Sequence, residues 1–215
     1  MDETTMIAES LVNSGALKFG KYTLKSGVES PYYIDLAWLL SSPADFERVS
    51  RIIAKKIRNI VSRRAINKLA TIELKGALML PHIACILGFP CIIIRKEAKT
   101  YGLTGRIVGG EIRRGERFLF FDDVLTDGRS KIEGIKPIED EGGIVDTIVV
   151  VVDREQGGRE NLESLGYNVK AITTISKVVD KLLNAGKIGL EEAEKITAYV
   201  RSQKSLSKQT LTINK

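Results

Sequence analysis

The sequence predicts an α/β fold: a mostly parallel central sheet with helices on both faces, preceded by a small N-terminal addition. Between residues 45 and 175, short apolar strand-like runs alternate with single helical stretches, and strands joined through single helices make right-handed crossovers in a parallel sheet. One run, Phe118 to Phe121, is apolar without alternation, as a strand buried on both faces is, and Ile144 to Val152 reads as a second strong strand. The residues that follow three runs, Arg95, Asp122 and Asp153, fall at one carboxyl edge, where open α/β sheets bind their ligands.

Taken in order, Ile7, Leu11, Val12 and Leu17 have near-helical spacing and Gly20 stops the pattern. Tyr22 to Leu36 is extended in character, punctuated by Gly27 and Pro31. Ser42 or Asp45 can start a helix to about Ser62, with Phe46, Val49, Ile52, Ile53, Ile57 and Ile60 as its inward stripe. Leu69 to Leu74 follows as a strand, Ala77 to Leu87 as a helix and Cys91 to Ile94 as a strand. Beyond the Phe118 strand come a helix over 131–141, the Ile144 strand, a helix near 159–165 and a strand from Val169 to Ile175. Residues 176–201 read as one or two helices broken near Gly186 and Gly189, and the polar residues 202–215 as a loose tail. The domain plan is an N-terminal hood over 1–44, an α/β core over 45–175, C-terminal helices over 176–201 and the tail.

Composition narrows the class. With 215 residues, 43% apolar and 28% charged, the chain can bury a substantial core. No apolar run reaches membrane-spanning length, and MDETTMIAES carries acids where a signal peptide carries bases, so a soluble cytoplasmic protein is expected. Cys85 and Cys91 lack the company a metal site needs and are expected as small buried hydrophobes in a reducing compartment. His82, the only histidine, falls in a core helix and is expected to be packed rather than catalytic. The net charge of +6 favours anionic ligands. The bases are spread along the chain, the Lys55 to Arg64 cluster reads as the wet side of a helix, and no reading motif accompanies them, so nucleic acid is not an expected partner.

The chemistry concentrates in FLFFDDVLTDGRS, Phe118 to Ser130. An apolar strand ends at Asp122 and Asp123, and the turn Thr126, Asp127, Gly128, Arg129, Ser130 leads into a helix. Such a turn can aim free backbone N–H groups at one anion, with the helix dipole adding attraction. Asp127, which a phosphate would repel, is expected to turn away, with Arg129 compensating. A second segment, IRKEAKTYGLTGRIVGG, follows a strand and puts Arg95, Lys96, Lys99 and Arg106 among four glycines, Gly102, Gly105, Gly109 and Gly110. It reads as a mobile loop able to close over a polyanion and exclude water.

The double-acid segment resembles the signature with which type I phosphoribosyltransferases bind 5-phosphoribosyl 1-diphosphate (PRPP). Arg-Lys-Glu-Ala-Lys, Arg95 to Lys99, resembles the catalytic loop of the orotate phosphoribosyltransferases. The resemblance extends to Leu24, Lys25, Ser26, Gly27 with Ser30, Pro31, Tyr32, to Leu74, Lys75, Gly76, and to Val152 through Gly158, in the family's order. It implies a type I phosphoribosyltransferase-like fold and transfer of phosphoribosyl from PRPP to orotate, giving orotidine 5′-phosphate and pyrophosphate. By that resemblance Asp122 and Asp123 orient the ribose and its water-bridged Mg2+, which PRPP carries, and the protein provides no metal cage of its own. Thr126 to Ser130 hold the phosphate, Lys25 lies near orotate and pyrophosphate, Lys75 helps bind pyrophosphate, and Arg95, Lys96 and Lys99 contact it, with Lys99 the catalytic-loop lysine. Tyr33 and Ile34 flank the pyrimidine, and Arg154 and Thr126 bind the orotate carboxylate. The resemblance also implies a homodimer with shared active sites. Against the usual pattern, Tyr101 stands where many relatives have histidine, Ile34 replaces an aromatic, and Thr71 to Leu74 lack Gly-Pro before Lys75. A phosphoribosyltransferase for another base, or a noncatalytic PRPP-sensing regulator of nucleic acid, would keep the same phosphate turn.

Overall fold

The computed structural model describes residues 2–23, 27–99 and 105–213. Helix α1 (Glu3–Asn13) is capped by Asp2, whose carboxylate accepts from the Thr5 N–H at 3.0 Å. A hairpin follows, β1 (Leu17–Thr23) antiparallel to β2 (Glu29–Ile34), then a 3-10 turn, Leu36–Ser41. Helix α2 (Pro43–Val61) opens on a proline suited to the first helical turn.

The central sheet comprises β3 (Lys68–Ile72), β4 (Cys91–Lys99), β5 (Gly105–Val108), β6 (Arg117–Leu125), β7 (Ile144–Asp153) and β8 (Asn168–Thr174). Its order is β5-β4-β3-β6-β7-β8, parallel throughout except for β5 against β4. Between the strands run α3 (Lys75–Leu87), α4 (Arg129–Asp140) and α5 (Gly158–Ser164), and α6 (Ile175–Asn184) and α7 (Leu190–Ile213) close the chain. The chain winds outward from β3 in one direction through β4 and from β6 in the other through β7 and β8. The topological switch point therefore lies between the carboxyl ends of β3 and β6, where a crevice opens.

Alternation along β6 builds two cores. Leu119 and Phe121 join Ile7, Ile53, Leu80, Val178 and Ile196 on the face covered by α1, α2, α3, α6 and α7. Phe118 and Phe120 join Ile135, Ile138 and Leu162 under α4 and α5. The unbroken apolar run Phe118 to Phe121 is thus the mark of a strand covered on both sides, as expected from the sequence.

Several boundaries differ from the sequence reading: the helical pattern read from Ile7 through Leu17 to a stop at Gly20 ends at Asn13, and Leu17 opens β1, where it pairs with Ile34. The segment after Ile94, expected to be a mobile loop, continues as strand to Lys99 and pairs with β5, Ile94 opposite Ile107 and Lys99 opposite Gly105. Its polar residues are tolerated because the hairpin forms the sheet edge, where side chains need not be buried. The strand expected to stop before the acids runs on through Asp122 and Asp123 to Leu125, because β7 extends alongside it to Asp153. Helix α7 continues to Ile213, past the end near 201, since no glycine or proline interrupts Leu190 to Ile213. No helix among the described residues is long and apolar enough to cross a membrane.

Candidate active site

At the switch point lies a cleft of about 920 Å³, lined by the ends of β2, β3 and β6, the starts of α3 and α4, and Arg154. It gathers Tyr33, Ile34, Lys75, Lys96, Asp122, Asp123, Arg154 and the whole turn Thr126 to Ser130 around one space.

Both acids are buried, at 5% and 6% exposure, and their surroundings give them different tasks. The Asp122 carboxylate is fully engaged: Oδ2 pairs with Lys131 Nζ at 2.7 Å and Oδ1 accepts from the Asp123 N–H at 2.9 Å. Asp123 makes no ion pair among the described residues. Burial, then the neighbouring Asp122 charge, push its carboxyl up to about 7, against the opposing pull of Lys131. The raised value means that the folded state holds this proton more tightly than the unfolded chain does. Stability from the proton is present at low pH and is lost as pH climbs from about 4 to about 7. The thermal midpoint of ligand-free Asp123→Asn, neutral throughout, is accordingly expected to gain on that of the wild type across this window and to run parallel above it. A constant difference from pH 4 to 8 would refute the assignment.

The turn after β6 is held from one side. Gly158, opening α5, lies so close to the Thr126 carbonyl that a Cβ there would be 2.4 Å from the oxygen, and Asn161 Nδ2 donates to the Asp127 carbonyl at 3.1 Å. A trans peptide points its N–H opposite to its C=O. With the Thr126 and Asp127 carbonyls turned toward α5, the Asp127 and Gly128 amides point the other way, and neither bonds to any described residue. Gly128, at φ 90°, permits the sharp entry into α4 and as its N-cap brings no side chain to the first turn. The result is an unclaimed set of donors at a helix start, suited to a phosphate. Asp127 is turned onto its own loop, accepting from the Arg129 N–H at 3.1 Å and pairing with Arg129 Nε at 3.3 Å, so its charge is neutralised locally. The Arg129 side chain itself is 91% exposed.

Arg154 follows β7. Asp153, a possible local partner in sequence, instead pairs with Arg159 at 3.4 Å, and Arg154 Nε donates to the Tyr32 hydroxyl at 3.1 Å. The guanidinium also lies over the Tyr32 ring, 4.7 Å from its centroid, and Tyr199 packs edge-on against that ring. One terminal nitrogen, Nη2, is buried without a hydrogen-bond partner. Arg154 lines the cleft, and a buried donor without a partner in the chain marks its guanidinium as the group with hydrogen-bonding capacity to spare. Ile34 is buried and Tyr33 half-exposed beside it.

Lys75 is the first residue of α3, which begins two residues earlier than expected, and its Nζ pairs with Asp35 at 3.1 Å. The preceding Glu73–Leu74 peptide is cis. Next to Lys75, a Cβ on Gly76 would stand 2.8 Å from Asp122 Oδ1, so glycine is what lets α3 approach the acids. Glu73 accepts from the Lys96 N–H at 2.7 Å, tying the start of the cationic hairpin to the cleft floor. Arg95 is not among the residues lining this cleft: its guanidinium donates to the Gly105 carbonyl at 3.4 Å along the hairpin. Lys25 and Tyr101 lie outside the described residues, as does the side chain of Lys99.

Four participants were not read from the sequence: Tyr32, Asp35, Glu73 and Lys131. Only Lys131 left a local signal, a lysine on the buried stripe of α4 with Gly134, Ile135 and Ile138. His82 bonds to Glu47 at 2.6 Å and packs on Phe46. It does not line the cleft. Among the described residues no group of three or more His, Cys, Asp or Glu side chains could hold a metal. Two adjacent carboxylates fit a metal that arrives with its own phosphate and water ligands.

Over 174 residues, 81% of this chain and 94% of the relative, the sequence is 34% identical to the orotate phosphoribosyltransferase of Pyrococcus abyssi. The chain belongs to the orotate phosphoribosyltransferase family. No protein-family model matches it. Among solved structures, the Leishmania donovani UMP synthase superposes with a TM-score of 0.82 at 30% identity, over 93% of this chain and 42% of that one. The orotate phosphoribosyltransferase of Aeropyrum pernix gives 0.70 at 25% identity, over 85% of this chain and 99% of that one. The expected type I phosphoribosyltransferase fold and the membership of an enzyme family of pyrimidine biosynthesis are thereby established.

Proposed function

We propose that the chain transfers the phosphoribosyl group of Mg–PRPP to orotate, releasing pyrophosphate and orotidine 5′-phosphate. The observation that carries this reading is one cleft holding an unclaimed amide turn, a buried carboxylate pair and an arginine with an open donor. The turn receives the 5′-phosphate and Asp123 the ribose hydroxyls. Arg154 receives the orotate carboxylate as a planar charge-assisted pair, with Thr126 beside it and Tyr33 and Ile34 against the ring. That pairing directs the ring nitrogen next to the carboxyl-bearing carbon toward the sugar.

As the bond to pyrophosphate breaks, positive charge grows on the ribose and negative charge on the leaving group. Buried carboxylates serve the first, and Lys75, Lys96 and the hairpin cations Arg95 and Lys99 serve the second. Lys25 joins them from the hood. No covalent nucleophile is needed, so positioning and electrostatics supply the acceleration. The substrate would carry its own Mg2+, and Asp123, together with Asp122 through the lone pairs its two bonds leave, would hold that ion through water. Because Arg95 does not line its own cleft, we assign it to the cleft of a second copy in a homodimer with shared sites. Residues 1–44 form the hood over the carboxyl edge, residues 45–175 the catalytic core and residues 176–201 the helices behind it. Cys85 is exposed and Cys91 only partly buried, not the buried hydrophobes expected from the sequence, because Cys85 falls on the outer side of α3. As free thiols the two suit a cytoplasmic setting.

The test is loss of orotate absorbance with PRPP and Mg2+, set beside uracil, adenine and hypoxanthine. Consumption of orotate alone is expected, and preference for another base would overturn the assignment of Arg154. In the same assay Lys99→Ala will lower kcat by about 10²- to 10³-fold, as loss of one transition-state donor does, with the orotate KM within threefold. Turnover equal to wild type would remove Lys99 from the mechanism.

A further inference from the structure

Lys131 is the least expected charged residue in the fold. It is 3% exposed, and it occupies the third position of α4, where the positive end of the helix dipole disfavours a cation. Desolvating an ammonium adds a second penalty unless every donor is satisfied. All three donors are satisfied: Asp122 Oδ2 at 2.7 Å, the Val124 carbonyl at 2.5 Å and Ser130 Oγ at 3.2 Å. Two of these partners belong to β6, before the phosphate turn, and the third, Ser130, is the last residue of the turn, already within α4.

We infer that Lys131 is a positioning residue for PRPP, a brace that spans the mouth of the Thr126–Ser130 turn and fixes its width for one phosphoryl group while holding Asp122 in place. The contacts divide the work between the two acids. Asp122 has both oxygens committed to the scaffold, and Asp123 is the carboxylate left to receive the sugar. The brace acts on the ribose 5-phosphate half of the substrate. Lys75, which serves the pyrophosphate half, lies outside it, paired with Asp35. A residue that merely stabilised the fold would weaken both halves together.

The inference rests on the reading of the cleft as a PRPP site, so wild-type enzyme is titrated first with Mg–PRPP by calorimetry. Absence of binding there would sink that reading itself. With binding established, Lys131→Met, of similar length and no charge, is expected to weaken PRPP and ribose 5-phosphate by tenfold or more. Pyrophosphate and orotate should stay within threefold. Unchanged ribose 5-phosphate affinity, or equal losses for ribose 5-phosphate and pyrophosphate, would overturn the role. Should Lys131→Met not fold, Asp122→Asn/Lys131→Met removes both charges of the buried pair and is judged by the same two affinities. Failure of that variant to fold would show that Lys131 serves folding and not the site, which also overturns the inference.

Discussion

Arg154→Ala will raise the orotate KM by about 100-fold or more, with PRPP affinity held within threefold. A desolvated charge pair costs about 2–5 kcal/mol when one partner is truncated, and about 3 kcal/mol corresponds to roughly 100-fold in affinity. The guanidinium is already placed before orotate arrives, through the Tyr32 hydroxyl on Nε and the Tyr32 ring beneath it, so little ordering opposes binding. Removing it leaves no carboxylate stranded, because Asp153 pairs with Arg159. The variant is therefore expected to keep its thermal midpoint within a few degrees. Arg154→Lys should not restore affinity, since an ammonium offers no planar fork. An orotate KM unchanged in a folded Arg154→Ala protein would remove this residue from base recognition.

Gly158→Ala will weaken PRPP binding by tenfold or more and destabilise the protein. A Cβ at this position would stand 2.4 Å from the Thr126 oxygen and 2.9 Å from Leu125 Cδ1. The atom in the way is backbone, so the turn must move. Overpacking of this kind costs about 1–3 kcal/mol, which for a chain of this size is a fall of roughly 2–12 °C in Tm. Moving the Thr126 carbonyl rotates the same peptide whose N–H faces the cleft, so stability and phosphate affinity are expected to fall together. Gly166→Ala makes a control for added methyls near α5, since open space surrounds that position, although its φ of 94° carries its own strain. PRPP affinity at the wild-type level in Gly158→Ala would mean that the turn is not shaped by α5.

The sequence made the fold legible where the signal was local. Apolar runs marked β6 and β7, single intervening helices gave a parallel sheet, and Asp122, Asp123 and Gly128 marked the turn that lines the cleft. What stayed hidden depends on pairing across long separations. Tyr32 and Arg154 stand 122 residues apart and meet only because β2 lies against the carboxyl end of β7. The extension of β4 required β5 as its partner, and β6 carried its acids inside the strand because β7 ran equally far. Gly158 looked like part of a motif, and its reason, the Thr126 carbonyl, belongs to another segment. Lys131 could have been found from its own helix, as a cation on an apolar stripe directly after two acids.

The most direct measurement is a crystal structure of the full chain with Mg–PRPP bound. The account predicts the 5′-phosphate within hydrogen-bond distance of the Asp127 and Gly128 amides, and the ribose hydroxyls on Asp123. A ribose 5-phosphate lodged elsewhere, or a turn whose amides remain without the phosphate in a complex of full occupancy, would contradict it.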